Sequence, residues 1–148
     1  MIREQKVRDF IYLFDFDVVP LQETKLCSLT FHLLRSVGGA QINECVVLDS
    51  ISALGGQLIG WNNKFFEEFS QFSNSFSISV KFKEKATQFT FCAIFMYRPN
   101  DRTLKPLFLH DLHITHAWRL SEPWALMGDF NMTRFMGDAK IVKATLMI

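Results

Sequence analysis

Three short stretches carry side chains that could do chemistry together: Leu21-Gln22-Glu23-Thr24, Tyr97-Arg98-Pro99-Asn100-Asp101 and Gly128-Asp129-Phe130-Asn131. Each stands where an apolar run gives out, so each offers polar groups at the end of an expected strand. Glu23 brings a hard carboxylate oxygen, the kind of ligand Mg²⁺ prefers. Tyr97 is in phase with Phe91 and Phe95 yet carries a phenol that needs a partner. Asp129 and Asn131 are two apart on an extended segment, which turns both to one side. A carboxylate and an amide converging there can align a water and hold a phosphate oxygen. With a metal and donors for developing charge, those are the parts phosphodiester hydrolysis requires.

Singly, each motif has a plainer reading. Gln-Glu-Thr is most often an exposed strand end, Tyr97 a core tyrosine, and Gly-Asp-Phe-Asn a turn whose Asp and Asn bond their own backbone. The ordered combination carries more weight than its members. A fourth cluster is His110, His113 and His116, with Asp111 among them. On a helix these histidines fall at i, i+3 and i+6, whereas zinc-binding helices favour i, i+4 pairs. His113 and His116 fall on the apolar stripe, so the expectation is partly buried, satisfied histidines rather than a metal site.

The elements that must position these groups follow from periodicity. Val7, Phe10, Ile11 and Phe14 form the stripe of an amphipathic helix. Val18 to Leu21 reads as a short buried strand. Cys45 to Leu48 and Leu58 to Trp61 are two more, separated by the turn signal Gly55-Gly56. The segment Phe65 to Phe76 is ambiguous between a helical turn and a packed loop. From Ser75 to Phe82, apolar and polar residues alternate, the pattern of a strand with one buried and one wet face. Phe89 to Tyr97 is apolar nearly throughout, a strand covered on both faces, and the two form an expected antiparallel hairpin. Leu109, Leu112, Ala117 and Leu120 share one helical face, and Trp124 to Met127 is a last short buried strand. Thr133 to Ile148 shows no convincing pattern. Helices interleaved with short strands make this a mixed α/β domain.

Composition is consistent with one folded unit. Of 148 residues, 49% are apolar and 21% charged, with 16 Phe supplying most of the aromatic content. That is a globular chain with a core, not a disordered one. A formal net charge of +1 gives no footprint of a dedicated, strongly basic nucleic-acid module, although a nuclease can work with a local basic patch. Cys27, Cys45 and Cys92 form no Cys-x-x-Cys pair and read as reduced core residues of an intracellular protein. The charged start, Met1 to Lys6, leads into no signal-peptide run, and no stretch of about 18 apolar residues exists. The reading is a soluble intracellular chain.

The ordered motifs resemble those of the endonuclease/exonuclease/phosphatase superfamily. Asp17-Val18-Val19-Pro20-Leu21-Gln22-Glu23-Thr24 is similar to the segment with the family's metal-binding glutamate, and Tyr97-Arg98-Pro99-Asn100 to the one with its phosphate-contacting tyrosine. Gly128-Asp129-Phe130-Asn131 is similar to the segment with the water-aligning aspartate and phosphate-binding asparagine. Ser52 to Asn62 resembles the Gly-Gly-Leu-Leu-Ile-Gly-Trp segment of the endonuclease domain of plant non-LTR (LINE-like) retrotransposons. The strand Phe76 to Phe82 and the pair Pro123-Trp124 fit the same branch.

The resemblance implies a four-layered α/β sandwich, two mixed sheets flanked by helices, and Mg²⁺-dependent cleavage of DNA phosphodiesters in the nucleus. It implies no membrane and no small-molecule cofactor. In roles, it implies Glu23 on the metal, Asp129 aligning water, and Asn131 and Tyr97 on the phosphate with Asn100 beside them.

The departures shape a second expectation. The family's first-strand asparagine and its Ser-Asp-His motif have no counterpart here, Ile141 to Ile148 does not match, Pro20 falls in a would-be central strand, and Arg98 replaces a small residue. Residues 1–148 thus read as a single partial domain, recognisable over about 6–135 with a divergent tail at 136–148. The expected activity is weak or absent. The alternatives are a non-catalytic remnant and a superfamily phosphatase acting on a phosphorylated lipid or inositol.

Overall fold

The computed structural model describes residues 2–24, 31–48, 56–98, 100–119 and 122–129. In chain order these form α1 (Ile2–Phe14), β1 (Val18–Thr24), α2 (Phe31–Gly38), β2 (Glu44–Leu48), β3 (Gly56–Trp61), β4 (Phe66–Ser73), β5 (Ser77–Glu84), β6 (Thr90–Tyr97), a 3-10 turn at Arg102–Leu104, α3 (Lys105–Arg119) and β7 (Trp124–Asp129). One sheet has the order β1-β3-β2 and the other β4-β5-β6-β7. All described pairings are antiparallel except β6 with β7, which is parallel and reached through α3. Mixed pairing is therefore confined, among the described residues, to the second sheet.

Three apolar clusters define the layers. Ile59 and Trp61 of the first sheet meet Ile78, Val80, Phe82, Ala93 and Phe95 of the second, so the sheets pack face to face. Phe82 lies at the centre, with ring centroids 5.2 Å from Trp61, 6.0 Å from Phe66 and 5.6 Å from Phe91. Ile11, Leu34 and Val37 of α1 and α2 cover the outer face of the first sheet over Val19 and Leu58. Phe108 of α3 covers the outer face of the second over Cys92, Ile94 and Met96. Each fully buried Val, Ile, Leu, Phe or Met among them contributes roughly 1.5–3 kcal/mol by leaving water. The result is the expected four-layered α/β sandwich.

Several local expectations need correcting. The wet face of β5 is dry: Ser77 and Ser79 are fully buried and Lys81 is 8% exposed, because α3 lies over them. Lys81 Nζ sits 4.6 Å from the centre of the Trp118 ring and 2.9 Å from Glu122 Oε2. The latter contact is an ion pair by distance, without the angle of a hydrogen bond.

β7 is not buried throughout, since Trp124 and Ala125 are exposed at the sheet's edge, and of the face expected on α3 Leu109 and Ala117 are exposed and Leu120 lies outside the described residues. The face α3 buries runs through Phe108, Asp111, Leu112, Thr115 and Trp118. Polar Asp111 and Thr115 disguise the stripe, since each answers a buried backbone or side-chain partner. Phe10 and Phe14 of α1 are likewise half exposed, and Ile11 carries that helix's packing. Helix α2 has no counterpart among the elements expected from the sequence. Its end is marked by Gly39, whose positive φ of 63° and N–H donation to the Arg35 carbonyl close the helix.

The ambiguous segment after Phe65 is the edge strand β4. Its pairing with β5 slips between Glu68 and Ser70, which leaves Phe69 as an extra residue. A bulge of one residue exchanges the two faces. Phe66 therefore faces the inter-sheet core, whereas Phe72 stacks on Trp118 at 5.5 Å on the α3 side. A strand that changes face midway cannot show a clean period of two, which accounts for its ambiguous sequence.

Pro20 is accommodated for a geometric reason. β1 pairs with β3 on one side, and no second partner exists among the described residues. Asn62 N donates to Asp17 O, which phases the ladder so that 19/60 and 21/58 are the hydrogen-bonded pairs. Pro20, opposite Ile59, falls at a non-bonded position with its nitrogen turned from β3. No ladder bond to β3 is lost.

Candidate functional site

Parallel pairing of β6 with β7 sets Tyr97 opposite Asp129. Register partners in a sheet point their side chains to the same face, and here that is the inter-sheet face already occupied by Phe91 and Phe95. The pair is closed beyond its last rung by Arg98 N, which donates to Asp129 O at 2.9 Å. Gly128 makes this closure possible. Its φ is +141°, and a Cβ there would stand 1.7 Å from the Met96 carbonyl oxygen. Glycine is thus required by the strand's approach to β6.

The end of β1 arrives at the same rim from the other sheet. β1 pairs Leu21 with Leu58 and Thr24 with Gly56, so Gln22 and Glu23 together stand opposite the single residue Gln57. Gln57 faces the inter-sheet space, in phase with Ile59 and Trp61, and is 2% exposed. Its Nε2 donates to the Phe76 main-chain carbonyl at 3.1 Å, crossing from one sheet to the other. That same carbonyl accepts from Tyr97 N at 3.0 Å. The ends of β1, β6 and β7 are thereby linked through Gln57 and Phe76.

Phe76 is held from a third direction. Asp111 Oδ2 of α3 accepts from Phe76 N at 3.2 Å, and the Phe76 ring lies 5.9 Å from that of Phe108. Asn74 Nδ2 donates to Asp111 O and Thr115 Oγ1, both at 3.1 Å, and Ser77 Oγ donates to Asn74 Oδ1 at 2.6 Å. Burial pushes the Asp111 carboxyl up, against the opposing pull of N–H groups from Phe76 and Ser75 and of nearby His110.

Of the residues expected to do chemistry, Tyr97 and Asp129 lie side by side, and the backbone of Glu23 reaches their rim. The Glu23 side chain and Asn131 lie outside what the structure describes. Asn100 is exposed just past Tyr97, next to Asp101, whose carboxylate accepts from Thr103 N at 2.8 Å and is held below its ordinary pKa by the Thr103 hydroxyl and amide. His110, His113 and His116 are exposed on α3, correcting the expectation of partial burial. Among the described residues no group of three His, Cys, Asp or Glu could hold a metal. The sequence motifs give Gln57, Phe76 and Asp111 no role at this rim. For Gln57 a signal existed: a polar residue in phase with Ile59 and Trp61 interrupts an otherwise apolar strand. Cys92 is buried and Cys45 half-buried, and among the described residues neither forms a disulfide. No described helix is long and apolar enough to cross a membrane.

Comparison with known proteins bears on the fold. No protein-family model and no curated protein matches the chain. Solved structures do. An endonuclease/exonuclease/phosphatase from Bacteroides vulgatus superposes with a TM-score of 0.60 at 20% identity, covering 88% of this chain and 58% of that one. The human Nocturnin catalytic domain with bound sulfate gives 0.68 at 15% identity, covering 88% and 57%. ANGEL2, a 2',3'-cyclic phosphatase, gives 0.69 at 14%, covering 91% and 45%. The chain thus has the endonuclease/exonuclease/phosphatase fold, and it spans about half the length of these solved chains.

Proposed function

We propose that this chain is a metal-dependent phosphoester hydrolase unit of the endonuclease type, acting on DNA phosphodiesters as in plant LINE-like retrotransposons. The observation that supports the reading most is the common rim of Tyr97, Asp129 and the end of β1. Two sheets contribute to it, as a site that must grip both a cation and a phosphate requires. The donors are oxygens: the carboxylates of Glu23 and Asp129 and the amide of Asn131. Hard oxygen ligands of this kind fit Mg²⁺ or Mn²⁺ rather than zinc. A cation there would polarise the phosphoryl oxygen and offset developing charge. In this reading Glu23 holds it, Asp129 orients the attacking water, and Tyr97 and Asn131 bind the phosphate, with Asn100 flanking.

The rate of the 148-residue chain is expected to be low. The α3 histidines lie along the outer helix layer rather than beside Asp129. The α3 histidines therefore give no general acid–base help there, help that is worth roughly 10²–10⁴-fold. The test is nicking of supercoiled plasmid in Mg²⁺ by the chain, by Asp129→Ala and by Tyr97→Phe. Feeble Mg²⁺-dependent nicking, lost in Asp129→Ala, is the expected outcome. Activity indifferent to Asp129 would overturn the assignment. The likeness to a 2',3'-cyclic phosphatase favours a second substrate class at the same rim. A parallel assay with 2',3'-cyclic AMP and an inositol phosphate separates the two.

A further inference from the structure

Gln57 is a side chain whose two ends behave differently. Its Nε2 is committed to the Phe76 carbonyl, an acceptor with no donor capacity, so the amide cannot be turned the other way round. Its Oε1 is then left buried with no hydrogen-bond partner among the described residues, at a cost to the fold. A leucine of similar size would fill the space without that cost. Phe76 does not need the amide either, because Tyr97 N already serves its carbonyl. Packing and hydrogen-bond satisfaction therefore give no reason for glutamine here. Position gives one. Gln57 faces the Gln22-Glu23 bulge in its own sheet and, through one carbonyl, contacts the strand end that carries Tyr97.

We infer that Gln57 is a positioning residue that couples the two halves of the rim, so that cation binding at Glu23 and phosphate binding at Tyr97 and Asp129 strengthen one another. The inference rests on the reading of the rim given above. Coupling of this kind is reciprocal and thermodynamic. Gln57 touches neither ligand in this scheme. It fixes the distance between two strand ends that otherwise belong to different sheets.

The test uses the whole 148-residue chain, Mn²⁺ and inorganic phosphate, with Mn²⁺ affinity measured by calorimetry. In the unaltered chain phosphate should tighten Mn²⁺ binding by about 5–150-fold, the usual span of coupling between sites. In Gln57→Leu, and in Gln57→Met, which keeps the length but lacks the N–H, Mn²⁺ should bind alone as before. The phosphate effect should then fall to about twofold or less, below that span.

A second readout is spectroscopic. The chain has 2 tyrosines, Tyr12 and Tyr97. With 3-fluorotyrosine, the Tyr97 resonance should respond to Mg²⁺ in the unaltered chain and lose that response in both variants, while Tyr12 stays still.

Full coupling in a folded Gln57 variant would overturn the inference while leaving the rim assignment intact. So would the unfolding of both variants, which would make the amide a requirement of the fold alone. Absence of Mn²⁺ binding in the unaltered chain, or binding that survives Glu23→Gln, would instead overturn the reading of the rim.

Discussion

Tyr97 and Asp129 are register partners across the parallel pair β6 and β7, and the backbone closes behind them through Arg98 N and Asp129 O. A phenol and a carboxylate separated by 31 intervening residues in the chain become neighbours because α3 carries the chain back to the same edge. The first prediction concerns what keeps them so.

Gly128→Ala should be severely destabilising. The φ of +141° is strained for any L residue, and the clash is with main-chain carbonyl, which cannot step aside. Strain and overlap together are worth on the order of 3 kcal/mol or more. Gly39→Ala is the control. Its φ is +63° and its new Cβ would meet the end of the exposed Tyr12 side chain, which can swing away. That substitution should cost about 1–2 kcal/mol. Urea unfolding of both variants checks the order, and equal losses would count against a backbone clash at Gly128.

Gln57→Leu should stabilise the chain. It removes a buried oxygen that has no partner among the described residues and leaves the Phe76 carbonyl bonded to Tyr97 N. The expected gain is about 1 kcal/mol, the penalty of the orphan acceptor less the modest value of the lost bond. A loss of that size would show that the cross-sheet bond matters more to folding than the orphan oxygen costs.

Asp111 should make stability fall as pH rises. Burial is the main cause that lifts its folded pKa above the ordinary 3.8, despite the N–H groups that favour the carboxylate. The folded chain thus holds this proton more tightly than the unfolded chain. Its contribution is complete below the unfolded value and is lost as pH climbs through the raised one. Asp111→Asn keeps an oxygen for Phe76 N and removes the titration. The variant should show a flatter stability profile upward from about pH 4 and higher stability at neutral pH. Denaturation across that range decides it, and an unchanged slope in the variant would place the titration elsewhere.

The α3 histidines should hold no zinc tightly. At i, i+3 and i+6 on an exposed face, they cannot converge as an i, i+4 pair can. Zinc that survives dialysis and is lost in His113→Ala would contradict this.

How much of this was legible beforehand depends on the kind of residue. β5 and β6 announced themselves through Phe76, Ile78, Val80 and Phe82 and through the unbroken apolar run to Tyr97, and they pair as that pattern requires. Gly-Asp-Phe-Asn pointed to a strand end because glycine followed by Asp ends an apolar run, although the reason for the glycine, a carbonyl pressed against its Cα, belongs to the neighbouring strand. β4 was illegible because a bulge at Phe69 exchanges its faces, and α3 was misread because its buried face is part polar.

By itself, then, the sequence determined the element types that rest on local period, the mixed α/β class, and the order in which Glu23, Tyr97 and Asp129 come. Those depend on residues a few positions apart, which one chain records directly. The tertiary structure decided which faces are dry, which strand Gly128 must approach, and that Gln57, Phe76 and Asp111 tie a rim together. Each of those is settled by a partner 19 to 38 residues away, such as Phe76 for Gln57 and Thr115 for Ser77, and a polar side chain's partner cannot be read from its own neighbours.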